Sequence, residues 1–304
     1  HHSRRMHVDY VAPTTIEDAV GALSSTPESR VFAGATDLIP QIRSGRPEPG
    51  LLVDLKRIER LTAVTEGADA WTIGAAAPTS LLTEDPGFSN QFPGLSEAAG
   101  LIGSDQIQNR SSLGGNLCNA SPAADSVPAM LVNEARAVVA TAGGTRTVGV
   151  GEIATGPGRT SLAPGEFIVE FEVDKPPAHS GDAYLRMTPR TEMDIAVVGV
   201  GVRITLDADG NCAEARIAVG AVAPTARRVA DAEAALVGQP INDDTLAAVA
   251  RAASAACDPI DDKRGTIAYR KQVTGVLAKR AVTIAAARAA GEDTENAATT
   301  NGAH

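Results

Sequence analysis

The chain has 304 residues, of which 43% are hydrophobic, 21% are charged and 3% are aromatic, and its formal net charge is −10. These values are typical of a globular protein with an aliphatic core, and the length favours two domains over one. The negative charge argues against a nucleic-acid-binding protein, because such proteins need a basic surface to displace counterions.

The three cysteines, Cys118, Cys212 and Cys257, are far apart in the chain. They form no CxxC pair, so a zinc site or a cluster motif is not expected. This usage is typical of reduced thiols in a cytoplasmic protein. The longest nearly uncharged apolar run, residues 195–202, is shorter than the ~20 residues that a membrane-spanning helix requires. The sequence therefore predicts a cytoplasmic protein without a membrane-spanning segment.

Short strands and helices are predicted along the first half of the chain. Apolar residues recur at helical spacing after Thr15, which predicts a helix near Ile16. Apolar runs ending near Phe32 and within residues 50–58 predict two strands of a small α/β unit. Residues 70–85 then predict a strand, a turn and a helix start.

Capping residues and glycines predict where the next elements begin and end. Thr79 or Ser80 is a suitable N-cap for the helix that starts in residues 70–85. The segment GLSEAAGLIG predicts a short helix that ends at Gly103, because glycine is favoured just after a helix. Residues 135–153 predict a β-hairpin around Gly143 and Gly144.

Alternation and composition divide the second half of the chain. The segment GEFIVEFEV, residues 165–173, alternates apolar and acidic residues and predicts a half-buried strand. Prolines and small polar residues at 174–183 indicate a domain boundary. Residues 194–222 predict a β-hairpin around the turn DADGN. Three helices, in residues 225–238, 245–259 and 269–290, are predicted to follow.

The loop VFAGATDL combines a glycine with small and hydroxyl side chains. Gly34 permits a positive φ, so that successive N–H groups can converge on one phosphate beside the Thr36 hydroxyl. The loop has no following lysine and is not GxGxxG, which excludes a Walker-type P-loop. Taken alone, it is also typical of a plain strand–turn–helix connection.

The loop SSLGGNLCNASPAAD is more specific. Gly114 and Gly115 allow a close approach to the backbone, Ser112 and Asn116 offer neutral hydrogen-bonding groups, and Asp125 offers an acceptor. This set suits a ligand that carries both phosphates and hydroxyls, such as a dinucleotide. The alternative is a turn-rich connection in which Ser121 and Asp125 serve as caps.

Several segments, in this order, resemble the flavin subunit of the molybdenum hydroxylases, the family of xanthine dehydrogenase and carbon monoxide dehydrogenase. They are AGATDL, TIGAAAPTSLL, GSDQIQNRSSLGGNLCNASPAADSVPAML, GEFIVEFEV, YLRMTPRTEMDIAVVGV and a late YR. The glycine-pair segment with its NASPAAD continuation is specific, and the order and spacing of the others strengthen the match. The resemblance extends from about Met6 to about Ala287.

The resemblance implies an α+β fold with a vanillyl-alcohol-oxidase-type (PCMH-like) FAD-binding domain over residues 6–176. Two α/β subdomains, about 6–60 and 61–176, would hold FAD, followed by a C-terminal α+β domain over 181–287 and a disordered tail over 288–304. The positions that match the family's FAD-binding residues are Ala33, Gly34, Ala35, Thr36, Asp37 and Leu38 in the pyrophosphate loop, Ile102 near the adenine end, Ser112, Gly115, Asn116 and Asp125 in the second loop, Phe167 and Ile168 at the flavin, and Arg186 where relatives often carry a basic residue.

The chain departs from the family pattern at specific points. Ala35 stands where many relatives have glycine, and Gln108 replaces the arginine of the commoner QIRN. The cysteine-rich insertion of the aromatic acyl-CoA reductases is absent, which disfavours that branch. No histidine lies in the FAD loops, so we expect non-covalent FAD.

On the family interpretation, the chain is an electron-transfer subunit that contributes no catalytic acid or base and no metal ligand. A molybdenum-cofactor large subunit would hydroxylate the substrate, and a 2Fe–2S small subunit would pass electrons to FAD, within a dimer of heterotrimers. FAD would then reduce an outside acceptor. Two alternatives are a self-sufficient flavin-dependent oxidase or dehydrogenase and a non-enzymatic nucleotide-binding subunit.

Overall fold

The computed structural model describes residues 9–26, 29–32, 50–105, 111–118, 120–121, 124–187, 198–258 and 267–294. The predicted pyrophosphate loop, residues 33–38, lies outside the described residues. The same holds for residues 295–304 of the predicted tail. Within the described part, no helix combines the length and the apolar character needed to cross a bilayer.

A small parallel sheet opens the fold. Its strands, in the spatial order β1-β3-β2, are β1 (Asp9–Val11), β2 (Ser29–Phe32) and β3 (Leu51–Asp54). Helix α1 (Ile16–Ser25) begins where the sequence predicts, because the Thr15 hydroxyl accepts a 3.1 Å hydrogen bond from the Asp18 N–H. Its buried residues, Ala19 and Leu23, pack with this sheet. The short helix α2 (Glu59–Thr62) follows β3.

An antiparallel sheet of five strands forms the centre of the first part of the chain. In the spatial order β4-β5-β10-β6-β7, its strands are β4 (Val64–Glu66), β5 (Ala70–Gly74), β10 (Phe167–Asp174), β6 (Arg136–Thr141) and β7 (Gly144–Gly149). The predicted hairpin around Gly143 and Gly144 is confirmed. Strands β6 and β7 are paired along their length, and their last pair, Thr141 with Gly144, adjoins the turn. A two-stranded ribbon of β8 (Ala154–Gly156) and β9 (Arg159–Thr160) follows.

Strand β10 is buried on both faces, so the prediction of a half-buried strand was wrong. Phe167 contributes to the core beneath the parallel sheet, whereas Ile168 and Phe171 contribute to a second core on the other face. A register shift between Ile168 and Glu170 changes which residues share a face. Glu170 is only 6% exposed and receives a 2.6 Å bond from the guanidinium of Arg60, which compensates its buried charge.

Five helices in the described residues pack around the second core. They are α3 (Ser80–Thr83), α4 (Pro86–Gln91), α5 (Pro93–Asp105), α6 (Leu113–Cys118) and α7 (Ser126–Val132). Helix α5 continues past Gly103, its predicted end, and α6 lies within a segment that was predicted to be a loop. Thr79 occupies the N-cap position of α3, but its side chain makes no capping bond.

The second half of the chain forms an antiparallel sheet with helices on one face. Its strands, in order, are β11 (Ser180–Met187), β12 (Val198–Leu206), β13 (Cys212–Gly220) and β14 (Arg227–Arg228). The helices are α8 (Ala230–Leu236), α9 (Asp243–Ala255) and α10 (Ile267–Ala289). The predicted hairpin and the last two predicted helices are confirmed. The first predicted helix, over residues 225–238, is shorter than expected, because Arg227 and Arg228 pair with β13 as strand β14. Helix α10 continues to Ala289, past the start of the predicted tail, and Arg288 is ion-paired with Glu97.

The other face of this sheet packs against α5 and α7, and we call this contact the seam. Alternation along β11 places Ala183 and Leu185 in the C-terminal core and Tyr184 in the core of the first half. The packing is close enough to require glycine. A Cβ added to Gly94 would lie 2.6 Å from the backbone nitrogen of Ala183. A Cβ added to Gly201 would lie 2.8 Å from backbone atoms of Pro128. The two halves of the chain therefore meet through backbone-level contact.

Candidate functional site

Helix α6, which contains the glycine pair, is held against the turn after β5. The Gly114 N–H donates to the Ala75 carbonyl over 3.0 Å, and the Thr79 N–H donates to the Ser111 carbonyl over 2.9 Å. The hydroxyls of Thr79 and Ser111 are also 2.9 Å apart and both residues are buried. The sequence motifs TIGAAAPTSLL and SSLGGN thus form one structural unit.

The two adjacent glycines have different environments. An added Cβ at Gly114 would lie 2.4 Å from the Ala75 carbonyl oxygen, so this glycine is required by the packing of α6 on the preceding turn. Gly114 therefore has a packing role, and its predicted contribution to ligand access stays a prediction. Gly115 is half-buried, and its N–H donates to the Ser112 hydroxyl over 3.1 Å. Its assignment to the FAD site stays a prediction.

Ser112 and Asn116 first of all hold their own segment together. The Ser112 hydroxyl accepts from Gly115, and the Asn116 Oδ1 accepts from the Ser126 N–H at 3.3 Å and the Ser126 hydroxyl at 2.5 Å. Asn116 therefore connects α6 to the first residue of α7. A hydroxyl and an amide also carry donor hydrogens, so these contacts are compatible with donation to a ligand.

Asp125 connects the second predicted FAD loop to the C-terminal sheet across the seam. Its Oδ1 accepts a 2.5 Å hydrogen bond from the Tyr184 hydroxyl, and its Oδ2 lies 2.8 Å from Nη1 of Arg186. Asp125 occupies the N-cap position of α7, but its side chain makes no capping bond. The alternative in which Asp125 serves as a helix cap is thus wrong.

The Asp125–Arg186 pair is shielded from solvent. The side chain of Asp125 is 8% exposed and that of Arg186 is 14% exposed, so water screens this ion pair far less than a surface pair. The structure thereby brings together two residues that sequence reasoning assigned separately to the site. Tyr184 was missed, although its position two residues before Arg186 on a strand places both side chains on one face.

The predicted apolar contacts are divided between two cores. Ile102 of α5 and Ile168 of β10 are buried in the core that also contains Tyr184. Phe167 is buried in the other core, beneath the parallel sheet. The structure therefore groups Ile102 with Ile168 and separates Phe167 from them. Their contact with a flavin stays a prediction.

The donor set around α6, α7 and β11 fits a ligand that carries hydroxyls and phosphates. Ser112 supplies a hydroxyl, Asn116 an amide, Asp125 a carboxylate and Arg186 a guanidinium. A carboxylate accepts from sugar-type hydroxyls, whereas hydroxyl, amide and guanidinium groups donate to phosphate or carbonyl oxygens. FAD offers all of these partners. Among the described residues, no group of three or more His, Cys, Asp or Glu side chains is arranged to hold a metal ion.

Comparisons with known proteins define the family. A family model described as "FAD binding domain in molybdopterin dehydrogenase" matches residues 5–176, which is more than half of the chain. A second, "CO dehydrogenase flavoprotein C-terminal domain", matches residues 183–285. The chain belongs to the family of FAD-binding subunits of the molybdenum hydroxylases and is an oxidoreductase subunit.

Individual relatives agree with this assignment over nearly their whole length. The putative xanthine dehydrogenase FAD-binding subunit of Escherichia coli K12 is 31% identical over 93% of this chain and 97% of the relative. The 6-hydroxypseudooxynicotine dehydrogenase complex subunit alpha of Paenarthrobacter nicotinovorans is 33% identical over 92% of this chain and 95% of the relative.

A solved structure supports the fold. A chain of carbon monoxide dehydrogenase from Hydrogenophaga pseudoflava superimposes with a TM-score of 0.86 at 33% identity, covering 93% of this chain and 98% of that chain. The predicted fold class, a FAD-binding domain followed by a C-terminal α+β domain, is confirmed.

Proposed function

We propose that this chain is the electron-transfer flavoprotein subunit of a molybdenum hydroxylase. In this role it takes electrons from an iron–sulfur partner and passes them to an external acceptor. The observation that carries the proposal is the near-full-length similarity to relatives named as FAD-binding subunits or medium chains of dehydrogenases. A medium chain works beside other chains, which is consistent with a division of the chemistry among subunits.

The proposed site holds FAD non-covalently between the two halves of the chain. Bound FAD would supply the capacity to exchange electrons. Asp125 would accept from a ligand hydroxyl, while Arg186 balances the buried charge of that carboxylate. Ser112 and Gly115 would present their hydroxyl and backbone to the ligand, and Asn116 keeps α6 and α7 together. Residues 33–38 would contact the pyrophosphate.

The proposed partners follow from the family. A molybdenum-cofactor large subunit would act on the organic substrate, and a 2Fe–2S small subunit would connect it to FAD, in a dimer of heterotrimers. The boundary proposed near residues 174–183 includes the connection between β10, which ends at Asp174, and β11, which begins at Ser180. In the proposal, the FAD site uses residues on both sides of this boundary, since Asp125 and Arg186 are paired across it.

The first test is a visible absorption spectrum of the purified chain after FAD is added and the excess is removed. We expect flavin bands that stay with the protein and are released by denaturation, as for a non-covalent cofactor. The same sample should show little turnover of a purine or an aldehyde without partner chains. Vigorous turnover by the isolated chain would contradict the proposal and favour a self-sufficient flavin enzyme. A folded protein that retains no flavin would contradict the proposal that the isolated chain contains a complete FAD site.

The second test addresses the partners. The chain carrying an affinity tag is expressed in its native host, and the captured complex is analysed for molybdenum, iron and flavin. We expect all three in fixed ratio, with the flavin reduced when the substrate of the molybdenum subunit is added. Capture of the chain with flavin and without molybdenum or iron would contradict the proposed assembly.

A further inference from the structure

Tyr184 lies in the seam at the point where the second predicted FAD segment meets the C-terminal sheet. It is 2% exposed, and its hydroxyl donates to Oδ1 of Asp125 over 2.5 Å. Arg186 lies on the same face of β11, and its Nη1 donates to Oδ2 of the same carboxylate over 2.8 Å. Each oxygen of Asp125 therefore has its own donor from one strand.

The neighbouring strand β12 leaves room for the tyrosine hydroxyl. Tyr184 pairs with Gly201 and Arg186 pairs with Gly199 in the antiparallel register. An added Cβ at Gly199 would lie 2.5 Å from the Tyr184 hydroxyl oxygen. The hydroxyl thus occupies a place that any larger residue at 199 would obstruct.

Two separate donors on β11 help to hold the plane of the Asp125 carboxylate. A guanidinium alone commonly binds both oxygens of a carboxylate in a fork-to-fork geometry. In this structure, the Tyr184 hydroxyl occupies Oδ1 and the carboxylate is held between β11 residues 184 and 186. Loss of the hydroxyl would leave Oδ1 without this buried donor and would allow the carboxylate to rotate towards Arg186.

We propose that Tyr184 is a positioning residue of the FAD site, which orients Asp125 for hydrogen bonding to FAD. The inference rests on the proposed placement of FAD at Asp125. Tyr184 itself acts through Asp125. Gly199, which lacks a Cβ, leaves the space that the Tyr184 hydroxyl occupies. The sheet of the C-terminal half therefore contributes to cofactor affinity as well as to the packing of the seam.

The test compares FAD affinity of the full chain and of Tyr184→Phe by titration of flavin fluorescence. We expect the dissociation constant to rise about 10-fold, as for the loss of a hydrogen bond to a charged group. The visible circular dichroism of the bound flavin should change, which a purely structural role would not produce. Ser180→Ala is the matched control, because it removes a hydroxyl–hydroxyl bond of 2.8 Å to Thr205 at the far end of the same strand.

A double-mutant cycle separates this inference from the placement of the site. Asp125→Ala should weaken FAD binding, and adding Tyr184→Phe to it should cause no further loss, because the two residues act together. If Asp125→Ala leaves affinity unchanged, the proposed placement of FAD is wrong. If Asp125→Ala weakens binding and Tyr184→Phe does not, only the role of Tyr184 is wrong. If Tyr184→Phe weakens FAD binding equally in the wild-type chain and in Asp125→Ala, the proposed role of Tyr184 is also wrong.

A second variant keeps the inference testable if Tyr184→Phe does not fold. Gly199→Ala retains the tyrosine but displaces its hydroxyl from Asp125, since the added Cβ would occupy the adjacent space. We expect the same direction of change in FAD affinity and in the flavin circular dichroism. A folded Gly199→Ala protein with wild-type affinity and an unchanged spectrum would overturn the inference.

Discussion

The carboxylate of Asp182 in β11 accepts a 2.8 Å hydrogen bond from the backbone N–H of Gly94, in the first turn of α5. Leu95 N–H and the Asn133 amide donate to its other oxygen over 2.9 and 3.0 Å. Burial raises the pKa of Asp182, and these donors act against that shift. Asp182 thereby connects the C-terminal sheet to the N-terminus of the helix that carries Ile102.

Replacing Asp182 by asparagine should destabilise the chain by about 2 kcal/mol, since an amide NH2 cannot accept from the N–H groups that face it. Urea denaturation monitored by far-ultraviolet circular dichroism measures the change. Asp69→Asn, at an exposed turn, is the control and should leave the free energy of unfolding unchanged. Equal stability of the two variants would show that the Asp182 contacts contribute nothing.

The same residue predicts a dependence of stability on pH. Because the pKa of Asp182 is raised above 3.8 on folding, the native state retains this proton in a pH range where the unfolded chain has lost it. Its contribution to the free energy of unfolding therefore falls as pH rises from about 4 through the folded pKa. The free energy of unfolding of the wild-type chain should be measured against that of Asp182→Asn from about pH 4 to about pH 7. The wild-type value minus the variant value should decrease as pH rises. A difference that rises with pH would contradict this sign.

Two glycines should respond in opposite ways to alanine. Gly21 lies within α1 with no heavy atom within 4 Å of an added Cβ, so Gly21→Ala should stabilise the chain by about 0.5–1 kcal/mol. Gly114→Ala should destabilise it by about 2 kcal/mol or more, because backbone atoms of Ala75 occupy the space. Thermal denaturation of both variants provides the comparison. A stabilised Gly114→Ala protein would disprove the packing role of that glycine.

The cysteines should differ in reactivity. Burial raises the pKa of Cys212 to about 11, and it also raises the pKa of Cys257. Since the thiolate is the reactive form, both should be inert in the native chain at about pH 8. Cys118, half-buried at the end of α6, should react with a thiol reagent first, and FAD should slow its reaction. Cys118→Ser should abolish the fastest phase of the reaction with the thiol reagent. If a fast phase persists in this variant, the most reactive cysteine is Cys212 or Cys257 instead.

If FAD binds at the predicted second FAD loop, substitutions there should cause a graded loss of cofactor affinity. Ser112→Ala removes one hydroxyl and should cost about 0.5–1.5 kcal/mol of binding free energy. Gly115→Val should cost more, because a β-branched side chain would block approach to the backbone. Fluorescence titration with FAD measures both. Unchanged affinity in Gly115→Val would count against the placement of the site.

Local patterns in the sequence were sufficient for most elements. The Thr15 cap, the hairpin at Gly143 and Gly144 and the C-terminal helices are determined by contacts between near neighbours, which the sequence displays directly. The family motifs likewise indicated FAD, because the specific glycine-pair segment is continuous in the chain.

The tertiary structure decided what depends on residues far apart in sequence. Gly114 and Gly115 are indistinguishable in a sequence pattern, and only the approach of Ala75 gives the first a packing role. The burial of both faces of β10 follows from the elements that cover it and from its register shift at Ile168. Tyr184 and Asp125 meet only because the seam brings β11 against α7, and a pairing of that kind leaves no periodic trace along the chain.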